Sequence, residues 1–198
     1  ARAAMRMDSE LVERVLQEAI AEHGTVATWE NLAMPLLHGV GRTWEDTRRY
    51  VEVEHLLSWS VSSALRRVPW PESRPEGQRR PVLLACAPHE RHSLPVEALA
   101  AALREVGLAH LVLGACTPPE ATAHTVERLG PRAVVLWCHT SGGHDVDTLV
   151  RTVRTTSTAE KHTALYTAGP GWRGNDGVFR LTAGHLGSLP EAMTVLGG

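Results

Sequence analysis

Residues 81 to 196 of this 198-residue chain alternate between short apolar runs and amphipathic stretches, and that alternation restricts the fold more than any other feature. PVLLACA (81–87), AHLVLGA (109–115), RAVVLWC (132–138) and HTALYTAG (162–169) read as buried strands, and GVFRLT (177–182) as a weaker one. Between them, VEALAAALREVG (96–107), PPEATAHTVERLG (118–130) and DVDTLVRTVRTT (145–156) read as helices, and LGSLPEAMTVL (186–196) as a closing helix. Strands with no polar side can be buried only if both faces of their sheet are covered. Helices returning the chain between them make that sheet parallel. Five such strands suit a flavodoxin-like order 2-1-3-4-5, in which ligands bind outside the carboxyl ends of the strands.

The first 68 residues carry no such alternation and read as all helix. Asp8 or Ser9 can cap a helix with Leu11, Val12, Val15, Leu16, Ala19 and Ile20 at helical spacing, stopped by Gly24. Thr28 is expected to cap the next, whose face is Leu32, Leu36, Leu37 and Val40 and which Pro35 should bend. A short helix is expected around 45–49 and a longer one over 51–68. Joined by short loops, these make a small helical bundle. RRVPWPESRPEGQRRP (66–81) has four prolines, five arginines and no apolar period, so it reads as a linker. The expected division is a helical bundle over 1–68, a linker over 69–80 and a Rossmann-like domain over 81–198.

Net charge excludes some partners. At −2 the chain offers no reason to expect a nucleic-acid or membrane surface as partner. No apolar run approaches the roughly 18 residues of a membrane span, and no signal peptide opens the sequence. Cys86, Cys116 and Cys138 are odd in number and widely spaced, as in a reduced cytoplasmic protein. Together with His89, His139 and His144 they invite a zinc site. Their spacing contains no clip such as CxxC, which favours small buried hydrophobes.

The strand ends collect the chemistry. APHERHSLP (87–95) follows strand one, WCHTSGGHD (137–145) strand three and AGPGW (168–172) strand four, so one sheet edge gathers His89, Glu90, His92, His139, His144 and several glycines. TSGGHD at a helix start could hold an anion, although it lacks the lysine of a phosphate loop. On the residues alone, His92 reads as a polar turn residue, Trp44 as helical core, and Gly169 and Gly171 as turn glycines. His55 reads as a satisfied core histidine. Glu54 stands among Val51, Val53, Leu56 and Leu57, where a carboxylate is costly to bury without a partner. Otherwise it sits on a solvated face or pairs with Arg48 or Arg49.

Glu90, Arg91, His92, Ser93 and Leu94 resemble the E/D-x-H-x-x-G signature of cobalamin-binding domains, and Ala168, Gly169, Pro170, Gly171 and Trp172 resemble their later G-G motif. In the cap, LAMPLLHGVGRTWEDTRRYVEVEHLLS contains Trp44, nine residues, then Glu54 and His55. It is similar to the W-x9-E-H pattern of CarH/LitR-type photoreceptor regulators of the MerR family. The resemblance covers nearly the whole chain, apart from the family's helix-turn-helix, as in a fragment or a stand-alone sensor.

The resemblance implies that His92 is the lower cobalt ligand. It further implies that Gly169, Pro170 and Gly171 lie against the nucleotide tail, beside Trp137 and His139, and that Trp44 and Glu54, near His55, cover an upper adenosyl group. A carboxylate on the other ring nitrogen would fix the tautomer of a ligating imidazole. Glu90 could do this, bond a corrin amide or cap the helix. Four positions depart from the family pattern. Glu45 stands where several photoreceptors have a second histidine, Pro95 replaces the last glycine of the signature, Ala168 replaces the first of the G-G pair, and Trp137 replaces a small serine beside the tail. The implied function is not enzymatic: an adenosylcobalamin-dependent light sensor that regulates transcription through a change of homo-oligomer. DNA would be reached only through a missing or separate DNA-binding domain. The alternatives are a corrinoid carrier of a methyltransferase system and a cobalamin-free regulator on the same scaffold.

Overall fold

The structure is a computed structural model that describes residues 1–47, 49–73, 80–140, 150, 154, 162–172, 180 and 182–197, with the backbone alone at 44–47. The chain forms two compact units, Ala1–Trp70 and Pro71–Gly198.

The first unit is helical: α1 (Arg2–Met5), α2 (Ser9–Thr28), a π turn (Trp29–Ala33), α3 (Met34–Thr47) and α4 (Val51–Arg66). Asp8 caps α2, its side chain accepting a hydrogen bond from the Leu11 N–H at 3.0 Å. Gly24 interrupts α2 at φ 82°, a conformation that costs glycine nothing. Thr28 does not cap a new helix. Its dihedrals are helical and its side chain makes no capping bond, so the chain runs straight into the π turn. Pro35 lies two residues beyond the end of that turn, as the second residue of α3. Having no N–H, proline cannot extend the ordinary ladder, and a wider turn beside it absorbs the mismatch. Residues 45–47 continue α3 rather than forming a separate helix, and Tyr50 in the left-handed region turns the chain into α4. Leu16 of α2 and Val53, Leu57, Val61, Ala64 and Leu65 of α4 are buried at spacings of three and four, and α2 packs on α4. Glu13 fastens the two, accepting from Ser63 at 3.0 Å and meeting Arg67 at 3.1 Å.

The second unit is a parallel sheet of β1 (Val82–Cys86), β2 (His110–Gly114), β3 (Ala133–Trp137), β4 (Ala164–Ala168) and β5 (Gly184–Leu186) in the order β2-β1-β3-β4-β5. α5 (Leu94–Glu105) follows β1, α6 (Pro119–Leu129) follows β2 and α7 (Leu189–Gly197) follows β5. All five residues of β1 are buried, as its unbroken apolar run requires of a strand covered on both faces. Leu83, Ala85, Val126, Val134, Leu136, Leu165 and Trp172 form one core cluster. Each large aliphatic side chain there contributes about 1.5–3 kcal/mol through burial.

Opposite the strand carboxyl ends, Arg80 clamps the sheet. Its guanidinium donates to the carbonyls of Gly130 at 2.6 Å, Pro131 at 2.8 Å and His162 at 3.0 Å. Gly130, left-handed at φ 55°, ends α6. The fifth strand lies at Gly184–Leu186, later than the 177–182 expected, so Leu186 belongs to the sheet and the closing helix begins at Leu189. The TSGGHD loop with His144, most of the helix expected over 145–156 and most of 177–182 lie outside the described residues. Among the described residues, no helix is long and apolar enough to cross a membrane.

Candidate functional site

The parallel register aligns Cys86 of β1, Trp137 of β3, Ala168 of β4 and Leu186 of β5 in one row at the carboxyl edge. The segments leaving that edge hold most of the candidate residues. After β1, Ala87–Ser93 loops into α5, with Pro95 in the helix's first turn, where a missing N–H costs nothing. Ser93 stands at the N-cap position, and its hydroxyl donates to Glu97 at 3.2 Å instead of capping the helix. Arg91 is exposed; Leu94 and Pro95 are half-buried.

Glu90 organises the loop. It is 1% exposed, yet both its oxygens are fully used. Oε1 accepts from the His92 backbone N–H at 2.7 Å and lies 2.6 Å from His92 Nδ1. Oε2 accepts from the backbone N–H groups of His139 at 2.6 Å and Thr140 at 3.0 Å, and from the Thr140 hydroxyl at 3.2 Å. The Glu90 carbonyl takes the Cys116 N–H at 2.8 Å, so one residue ties together the segments after β1, β2 and β3. Burial alone would push the Glu90 carboxyl up. The hydrogen bonds from the backbone of His92, Thr140 and His139 and from the His92 ring override it and hold the group at about 2, against an ordinary 4.5.

A carboxylate that stays ionised can only accept at Nδ1, so His92 carries its proton there. In the neutral ring the lone pair is then on Nε2; the ring is 60% exposed at the sheet edge. The His139 ring lies beside it, centroids 4.8 Å apart and tilted by 52°. The Glu90 carboxylate is thus bonded to His92, His139 and Thr140. Thr140 and Cys116 were not legible as site residues, because their contributions are largely backbone N–H groups that any residue type could supply.

Behind this diad, the Ala168–Trp172 turn packs on the end of β3. The Gly171 N–H donates to the Cys138 carbonyl at 2.9 Å. A Cβ at Gly171 would fall 2.7 Å from Cys138 Sγ and 2.7 Å from the Thr140 carbonyl oxygen. A Cβ at Gly169, which sits at φ 96°, would fall 2.4 Å from the Cys138 carbonyl and 2.8 Å from Trp137 Cζ3. These glycines therefore permit the chain to approach itself. Pro170 is exposed, while Trp172 is fully buried in the core.

The cap residues are differently placed. Trp44 lies in the last turns of α3, and its side chain and that of Glu45 are outside what is described. Glu54, in the first turn of α4, is about a third exposed. It already has partners, accepting from Ser58 at 2.7 Å and lying 3.1 Å from His55 Nδ1. His55 is 77% exposed, so it is no core histidine. Among the described residues no group of three or more His, Cys, Asp or Glu could hold a metal ion. Cys86 and Cys138 are buried, their thiols pushed up chiefly by that burial, Cys86 to about 12.

The donor set fits a corrinoid at one point and not at another. An imidazole held at Nδ1 by a buried carboxylate suits a cobalt ligand. The bare backbone at Gly169 is already covered by the chain's own indole.

Residues 1–68 match the B12 binding domain family. Over 129 residues, 65% of the chain, the sequence is 33% identical to the HTH-type transcriptional repressor CarH of Myxococcus xanthus; the match spans 42% of that relative, less than half its length. Among solved structures, the chain is similar to the Methanosarcina barkeri monomethylamine corrinoid protein, with a TM-score of 0.71 at 12% identity over 98% of this chain and 93% of that one. A cobalamin-binding protein from Desulfitobacterium hafniense DCB-2 gives 0.51 at 12% identity over the same shares. The structural likenesses speak for the fold, a helical region followed by a five-stranded parallel sheet. The two sequence matches support a cobalamin-binding domain similar to that of CarH.

Proposed function

We infer that the chain is a sensory module that holds adenosylcobalamin, responds to light and regulates transcription through a change of oligomeric state. The observation that carries the reading is the His92–Glu90 diad: a buried, fully bonded carboxylate holds Nδ1 of an imidazole that is 60% exposed at the sheet edge. In this reading His92 ligates cobalt, and Trp44 and Glu54 contact the adenosyl group. When bound, the cofactor supplies a cobalt–carbon bond that light breaks. The protein supplies a lower ligand and a surface that distinguishes the state with adenosyl from the state without it, a ligand-biased two-state switch rather than turnover. The 33% identity to CarH supports this reading over a carrier of methyl groups.

The test is an absorption spectrum of the protein in the dark after loading with an adenosylcorrinoid and removal of excess, then after green light, with size-exclusion chromatography before and after. A light-bleached adenosyl spectrum with a change of elution volume is expected. A spectrum indifferent to light, in a protein that takes up methylcobalamin equally well, would favour the carrier instead. His92→Ala should lose the nitrogen-ligated spectrum, and an unchanged spectrum would remove its ligand role.

A further inference from the structure

Trp137 is the last residue of β3, flanked in register by Cys86 of β1 and Ala168 of β4. It thus stands between the strand that leads to His92 and the strand that leads to Gly169. Both neighbours are small, which leaves width for an indole. The six-membered side of that indole lies on Gly169: Cζ3 and Cε3 are 2.8 and 2.9 Å from where a Cβ would be. Its Nε1 is buried and has no hydrogen-bond partner among the described residues. The ring is therefore packed into the edge by its apolar surface, with its polar atom turned inward at some cost.

An indole set against a glycine takes up the room that a benzimidazole base would need to lie there. Two such rings cannot share one glycine face, because a packed interior has no slack for a second ring. We propose that Trp137 occupies the place of the lower base, so that this chain selects corrinoids without a nucleotide tail, of the cobinamide class, over complete cobalamins. The selection rests on the cobalamin reading above and narrows its ligand. It also matches the rest of the edge: without a tail to bury, the only lower contact the site must provide is the His92 nitrogen.

The experiment uses the full chain and two probes with the same upper ligand, adenosylcobinamide and adenosylcobalamin, titrated in the dark by calorimetry, with thermal unfolding of each mixture as a second readout. Wild type should bind adenosylcobinamide about tenfold or more tighter than adenosylcobalamin and be stabilised more by it. Trp137→Ser should gain about tenfold or more for adenosylcobalamin while its affinity for adenosylcobinamide stays within about twofold. Because removing the indole deprives no observed hydrogen-bond partner, the variant should still fold. If it does not, the wild-type comparison decides alone. Adenosylcobalamin bound at least as tightly as adenosylcobinamide by wild type overturns the selection and leaves the cofactor reading standing. Binding of neither probe overturns both.

Discussion

Replacing Glu90 by Gln changes shape little and removes one charge, so its effect isolates what that charge does. In the native chain five donors converge on the carboxylate. A Gln offers one acceptor oxygen and one donor group. Whichever way it turns, its NH2 meets either the His92 N–H and ring or the donors of His139 and Thr140. The depression of the Glu90 carboxyl from 4.5 to about 2 gives the magnitude. At about 1.4 kcal/mol per pH unit, the ionised form is favoured by about 3 kcal/mol in the folded state. The sign follows from which state binds protons. Above about pH 4.5 both states are ionised and the full contribution is present. As the pH falls from about 4.5 the unfolded chain protonates first, the contribution shrinks, and it is gone below about 2. Urea denaturation of wild type and Glu90→Gln across this range should show a gap of about 3 kcal/mol at neutral pH that closes between about pH 4.5 and 2. A gap that is absent at neutral pH, or that does not change with acid, would refute the argument.

Other consequences are simpler to read. Gly171→Ala should destabilise the second unit by about 2 kcal/mol or more in the same assay, because its Cβ would meet two carbonyl oxygens and Cys138 Sγ within 2.9 Å. Asp8→Ala should cost about 1 kcal/mol and fray the start of α2, seen as faster amide exchange at Leu11. Iodoacetamide should label only Cys116 in the native chain and all three cysteines in urea, since Cys86 and Cys138 are buried thiols held in the protonated form.

Much of this architecture is legible in the sequence for a specific reason. A strand covered on both faces must be apolar throughout, so VLLAC and AVVLW announce a parallel sheet, and the order β2-β1-β3-β4-β5 follows the expectation; HLVLG of β2, also read as buried, is instead half-exposed, because it is the sheet's edge strand. β5 escaped it because Gly184–Leu186 is three residues long and carries no apolar run. Thr28 was misread because a residue able to cap is recognised by type, whereas capping requires non-helical dihedrals that tertiary packing overrode. The π turn before Pro35 is the bend that proline implied, in a form that spacing alone does not specify.

At the site, residue types mark His92 and Glu90 as chemistry, but only the side-chain rotamers decide that Glu90 grips Nδ1. His55 shows the reverse: its place in a motif beside apolar residues suggested burial, and the helix turns it to solvent. The bulk of Trp137 was visible at once. Its contact with Gly169 was not, because it joins residues 32 positions apart, one ending β3 and the other following β4.

Cobalt ligation by His92 through Nε2 is tested most directly by electron paramagnetic resonance of the full chain loaded with cob(II)inamide, which brings no base of its own. The cobalt signal should carry a triplet splitting from one nitrogen, collapse to a doublet when histidine is labelled with 15N, and lose the splitting in His92→Ala. A splitting that ignores the label, or that survives in His92→Ala, would contradict the account.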